Sequence, residues 1–177
     1  FGPHMGSLLA GDLGMAIDVQ SNNGVWIQGN IIGSDATGTK LFESDFGIGI
    51  SGIFDPTLNV IVGGNTPAHG NIIFGGFGIL LYGNVASGVI VQNNSIGVNS
   101  LGVATSSSAV MTQLPFTILK PASIGIIWGA NNNTIEENII GGSPSYISGT
   151  GPGIYIAQDT NSPFGFAVSV FNKSTGD

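Results

Sequence analysis

The densest cluster of groups able to do chemistry is one short stretch holding Asp35, Lys40, Glu43 and Asp45. Its three carboxylates could hold a calcium ion through oxygen ligands, with the Lys40 ammonium beside them. The acids are spaced more widely than calcium loops use, and no alternation of Asp with Gly accompanies them. The stretch therefore reads first as a solvated loop. Elsewhere the carboxylates are scattered. Glu136 and Glu137 are adjacent, so within a strand they would face opposite ways and only one could serve a given face. Glycoside hydrolysis needs two carboxylates flanking one bond. His69 follows Pro67-Ala68 in a turn, with no second natural histidine and no cysteine to complete a transition-metal site. No phosphate loop, dinucleotide fingerprint or Ser-His-Asp order is present. Trp26, Trp128, Tyr82, Tyr146 and Tyr155 could offer flat faces to a sugar ring. Trp26 lies between Val25 and Ile27, so if those two point inward, Trp26 points outward. The residues assign no catalytic group and no metal site. The ligand-binding candidates are Trp26, Asp35, Lys40, Glu43 and Asp45.

These side chains hang on a repeated framework. One phrase returns as Asn30-Ile31-Ile32-Gly33, Asn71-Ile72-Ile73-Phe74, Asn94-Ser95-Ile96-Gly97 and Asn138-Ile139-Ile140-Gly141. A second returns as Gly47-Ile48-Gly49-Ile50, Gly78-Ile79-Leu80-Leu81, Gly125-Ile126-Ile127-Trp128 and Gly153-Ile154-Tyr155-Ile156. Units of this size, recurring in order, indicate a stacked array. Each unit holds three short apolar segments separated by Gly- and Asn-rich turns, which favours strands over helices. Like positions should meet, placing Ile27, Val91 and Ile135 in one interior row and Gln28, Gln92 and Glu136 in a polar stack. The phrase asparagines should sit at a bend, where they tolerate left-handed backbone and can bond to one another along the stack. Glycine before each Ile-x-Ile should relieve a turn. Segments leaving the phrase vary greatly in length, and the longest is the insertion 98–123.

Composition narrows the function classes. Of 177 residues, 42% are apolar and only 7% charged, with 30 glycines. The basic residues are Lys40, Lys120 and Lys173, against a net charge of -7, so no patch exists to neutralise nucleic-acid phosphates or an anionic bilayer. No apolar run is long enough for a membrane-spanning helix, so no membrane insertion is expected. Residues 1–7 include Gly2-Pro3-His4-Met5-Gly6-Ser7, which reads as a cloning scar and leaves His69 as the natural histidine. Residues 8–177 read as a single domain.

The phrases resemble the repeats of right-handed parallel β-helix proteins, found in carbohydrate-binding and sugar-hydrolase modules and in large bacterial surface proteins. The resemblance runs from Gly14 to Ile156 and is sharpest over Asn30 to Thr39. It implies an all-β solenoid of about four to five coils with three short strands per coil, in an extracellular or cell-surface protein. Polysaccharide lyases of that fold use a calcium cluster and a basic proton abstractor. This chain has no arginine and no convergent acidic cluster, so the resemblance favours a non-catalytic adhesive or spacer segment, with a glycan or host-surface ligand as its partner. The alternative is a pectate-lyase-like enzyme acting on an extracellular polysaccharide. Calcium is the one cofactor that the loop would accept. Open strand edges at the end coils make self-association an expectation.

Overall fold

Short apolar runs bounded by asparagine and glycine turns give short strands. The computed structural model describes residues 8–9, 15–38, 40, 42, 46–52, 55–99, 122–141, 154–157 and 168–171. In chain order the strands are β1 (Leu8–Leu9), β2 (Met15–Gln20), β3 (Trp26–Ile27), β4 (Ile31–Ile32), β5 (Phe46–Ser51), β6 (Thr57–Leu58), β7 (Ile61–Gly63), β8 (Ile72–Ile73) and β9 (Phe77–Tyr82). They continue as β10 (Ala86–Ser87), β11 (Ile90–Gln92), β12 (Ser95–Ile96), β13 (Ala122–Ile127), β14 (Asn133–Glu136), β15 (Ile139–Ile140), β16 (Ile154–Ala157) and β17 (Val168–Phe171). One 3-10 turn, Pro67–His69, interrupts the run between β7 and β8.

All of the pairing between these strands is parallel. Sheet 1 has the order β2-β5-β9-β13-β16, sheet 2 the order β3-β7-β11-β14-β17 and sheet 3 the order β1-β4-β8-β12-β15, with β6 and β10 forming a small fourth sheet. Successive strands thus fall to the three sheets in rotation, an all-β arrangement compatible with a β-solenoid. Ile27, Val91 and Ile135 lie in one buried row of sheet 2, as the aligned phrases predict, and Val62 completes the row in register. Ile32, Ile73 and Ile96 form the matching row of sheet 3, and Ile48, Ile79 and Ile124 that of sheet 1. The three rows belong to one core, and each buried Ile or Val contributes roughly 1.5–3 kcal/mol.

Three details of the repeat reading need correction. Gly125 does not lie opposite Gly78. It pairs with Leu80, because Ile124 pairs with Ile79, so Ser123 takes the place of the glycine. Glycine at 47 and 78 answers close approach and not a turn. A Cβ on Gly78 would stand 2.6 Å from Ile96 Cγ2 and 2.8 Å from the Ser123 carbonyl oxygen. The left-handed backbone also falls one residue before the phrase asparagine, at Gly29 (φ 66°), Asn93 (φ 58°) and Glu137 (φ 54°).

The phrase asparagines form a ladder. The backbone N–H and side-chain Nδ2 of Asn30 both donate to Oδ1 of Asn71, at 2.9 and 3.0 Å. Asn71 does the same to Asn94 at 3.0 and 2.8 Å, and Asn94 to Asn138 at 2.9 and 3.0 Å. The Nδ2 of the last three also caps a carbonyl of the unit behind it: Asn71 to Ile27, Asn94 to Val62 and Asn138 to Val91. Buried amides are tolerated here because nearly every polar atom is bonded.

A second apolar cluster lies against sheet 1, apart from the shared core. Phe46, Phe77, Leu80, Ala122 and Ile127 are buried in it, with Met15, Tyr82 and Trp128 packed around them. The Phe46 and Phe77 rings stack at 5.8 Å, and Trp128 meets Tyr82 edge-on at 6.0 Å. Burial raises the Tyr82 phenol above its ordinary pKa. A hydrogen bond with Ser51 opposes that shift and the charge of Asp18 adds to it.

Candidate functional site

The sequence-predicted binding residues separate into two places. Asp35 and Lys40 share one tight turn after β4. The Asp35 N–H donates to the Lys40 carbonyl at 2.9 Å, and Oδ1 of Asp35 accepts from Thr37 Oγ1 at 2.8 Å and from the Lys40 N–H at 3.2 Å. That carboxylate oxygen organises its own loop, while the Lys40 side chain is exposed. Glu43 and Asp45 lie outside the described residues, as do residues 100–121 of the long insertion. The last residues of that insertion, Ala122 and Ser123, open strand β13.

Trp26 stands elsewhere, on the outer face of sheet 2, where alternation within β3 predicts it. It is 68% exposed while its neighbour Ile27 is buried. Ile61, Ile90 and Thr134 continue its row in register, and all three are half-buried. One step along the strands the row turns polar: Gln92 pairs with Glu136 on one side and with Gly63 on the other. The expected polar stack is therefore present only as Gln92 beside Glu136, with Gly63 standing between Gln92 and Gln28, and Gln92 Nε2 donates to Glu137 Oε2 at 3.0 Å. Glu137 lies beyond β14 in left-handed backbone, so it joins this polar group and does not point away from it as a strand residue would.

A recess lies beyond the end of β3. Two residues separate Ile27 from Asn30, and two separate Val91 from Asn94, whereas residues 63–70 separate Val62 from Asn71. The extra length folds as the Pro67–His69 turn, held by bonds from the His69 N–H to the Thr66 carbonyl at 3.0 Å and from the Gly29 N–H to the His69 carbonyl at 3.1 Å. Gly64 lets the turn close over Gln28: a Cβ there would sit 2.9 Å from Gln28 Nε2 and 3.0 Å from His69 Nδ1. The recess is lined by Gln28, Gly29, Ala68 and His69. Gln28 Nε2 donates to the Gly63 carbonyl at 2.8 Å, but the buried Nδ1 of His69 has no hydrogen-bond partner among the described residues. A hydroxyl entering the recess could bond to that nitrogen as donor or acceptor.

Gln28, two residues after Trp26, lines the recess, and no described contact joins Trp26 itself to His69 or to the Asp35 loop. The recess was legible only as excess length between Val62 and Asn71, since a lone histidine after Pro67-Ala68 carries no motif. No family model, no curated protein and no solved structure matches the chain.

Proposed function

We propose that this chain is a non-catalytic segment of a right-handed parallel β-helix, in a secreted or cell-surface protein. In this reading it acts as a spacer that carries a weak glycan-binding face. The rotation of parallel strands through three sheets supports about four to five coils. The right hand follows from the strong preference of parallel crossovers. The binding reading rests on one observation: an indole 68% exposed on a regular sheet face, two residues before Gln28, which lines a recess with an unpartnered imidazole nitrogen. A sugar ring stacked on Trp26 would place its hydroxyls toward Gln28 and His69, and a hydroxyl can serve Nδ1 as donor or acceptor.

The face is shallow, so affinity should be near the millimolar range, about -4 kcal/mol. A glycan array followed by NMR titration of the best oligosaccharide tests this. Trp26→Ala should abolish the shifts and His69→Ala should weaken binding several-fold, with Asp35→Ala unchanged. Binding that survives Trp26→Ala would refute the Trp26 site, and an array without hits leaves a spacer alone. Turnover of uronate polymers, lost on Lys40→Ala, would overturn the non-catalytic reading.

A further inference from the structure

The chain turns from sheet 1 to sheet 2 at a corner that also repeats. Backbone bonds from Ile61 N–H to the Val25 carbonyl, Ile90 to Val60 and Thr134 to Val89 put like positions in line. One residue earlier in each unit the backbone is left-handed: Gly24 (φ 78°), Asn59 (φ 54°), Gly88 (φ 69°) and Asn132 (φ 53°). Glycine and asparagine are the residues that take this conformation at least cost. The residue before it is free to vary, and is Asn23, Leu58, Ser87 and Asn131 in turn, linked by parallel bridges from unit to unit. Only the first of these corners sets an asparagine before a glycine, and Asn23-Gly24 is the one Asn-Gly pair in the sequence.

That pair carries reactive chemistry. An asparagine amide carbon can be attacked by the backbone nitrogen of the next residue, and glycine hinders the attack least because it has no side chain. Asn23 and Gly24 are both exposed, and the space where a Cβ of Gly24 would stand has no atom within 4 Å. Against this, the fold holds both reacting groups. The Gly24 N–H donates to the Leu58 carbonyl at 3.1 Å, and the Leu58 N–H to the Asn22 carbonyl at 2.9 Å. The Asn23 Oδ1 accepts from Asn59 Nδ2 at 2.9 Å, which turns the side chain along the stack. While these three bonds between the first two units persist, the nitrogen and the amide carbon are kept from reacting.

We propose that Asn23 is a site of spontaneous deamidation, gated by local opening of this bridge between the first and second units. When the bridge opens, the Gly24 nitrogen gives its proton to water or hydroxide and bonds to Asn23 Cγ. The side-chain nitrogen leaves as ammonia and a five-membered imide remains. Water then opens the ring. Cleavage of the bond between Cγ and the Gly24 nitrogen gives aspartate. Cleavage of the original peptide bond gives isoaspartate, with one extra methylene in the main chain. Neither oxidant nor cofactor is consumed. Both products add a negative charge to a chain already at -7. Aspartate can still accept from Asn59 Nδ2, whereas isoaspartate shifts the register of the chain just before β3. The inference is independent of any glycan binding at Trp26.

The test is to hold the chain in warm, mildly alkaline buffer, folded and in urea, and to follow each asparagine by ion exchange and peptide mapping with mass spectrometry. Asn23 should convert ahead of every other asparagine in both states, and roughly tenfold or more slowly in the folded chain, because reaction then waits on opening. The repeat supplies two variants suited to left-handed backbone. Gly24→Asn copies Asn59 and Asn132, so the chain should keep its denaturant midpoint while conversion at Asn23 falls about tenfold in both states. Asn59→Gly copies Gly88 and removes the bond to Asn23 Oδ1, so conversion should rise several-fold in the folded chain and stay unchanged in urea. An Asn23 that stays intact in the folded chain while it converts fully in urea overturns the site. Equal rates in the two states, or an Asn59→Gly chain that converts no faster than the unsubstituted one, overturns the gate.

Discussion

Between sheets 2 and 3 the chain turns at Asn30, Asn71, Asn94 and Asn138, and every turn is bonded to the next. Between sheets 3 and 1 it leaves through segments 33–45, 74–76, 97–121 and 141–153, which share neither length nor composition. The first corner is a collective structure: each asparagine oxygen is the acceptor for the unit before it, so one residue type is demanded at every level. The Asp35 turn, which belongs to the second corner, serves itself, with Oδ1 bonded to Thr37 and Lys40 in the same loop. A polar group held by neighbouring units should be expensive to change, whereas one held by its own loop should be cheap.

The strongest way to break this contrast is Asn94→Ala. It strands the buried N–H of Asn71 and the Val62 carbonyl and cuts the tie to Asn138, so unfolding free energy should fall by about 3–4 kcal/mol in a denaturant titration. A loss below about 1 kcal/mol would show that the ladder is decoration. Asp35→Ala should cost about 1 kcal/mol or less, because its partners are solvated once released. A loss equal to that of Asn94→Ala would erase the distinction between the corners.

The smallest effect concerns the cluster against sheet 1. Burial favours the neutral Tyr82 phenol in the folded chain, with Asp18 adding to the shift and Ser51 opposing it, so its pKa is raised above the ordinary 10.0. The stability this gives is fully present below pH 10 and is lost as pH rises through the raised value. Stability of the unsubstituted chain should therefore fall more steeply with alkaline pH than that of Tyr82→Phe. Equal slopes would mean that the phenol is as hydrated folded as unfolded.

The same contrast explains how far the residues could be read. Rows such as Ile27, Val91 and Ile135 follow from the repeated phrases because stacking forces like onto like. The ladder follows for the same reason. The third glycine phrase misleads because Ser123 fits where Gly47 and Gly78 do, and the eye slides to Gly125. Position by position, Trp26 was legible from strand alternation alone. The recess was not, because His69 meets Gln28 only through a turn whose path depends on Gly64. The cluster of Phe46, Phe77 and Trp128 was hidden by sequence distance, although Phe46 and Phe77 both precede a glycine at the same place in their units.

The asparagine ladder also sets how the molecule would respond to force. Its bonds, like those between the strands, run along the stacking direction. Tension along that direction therefore meets the rungs in series, and the weakest rung gives way before its neighbours. Successive ladder asparagines are 41, 23 and 44 residues apart. Each rupture would pay out a loop of roughly 80 to 150 Å of extended chain. A tether built this way lengthens in discrete steps of unequal size, and the shortest step marks the unit between Asn71 and Asn94.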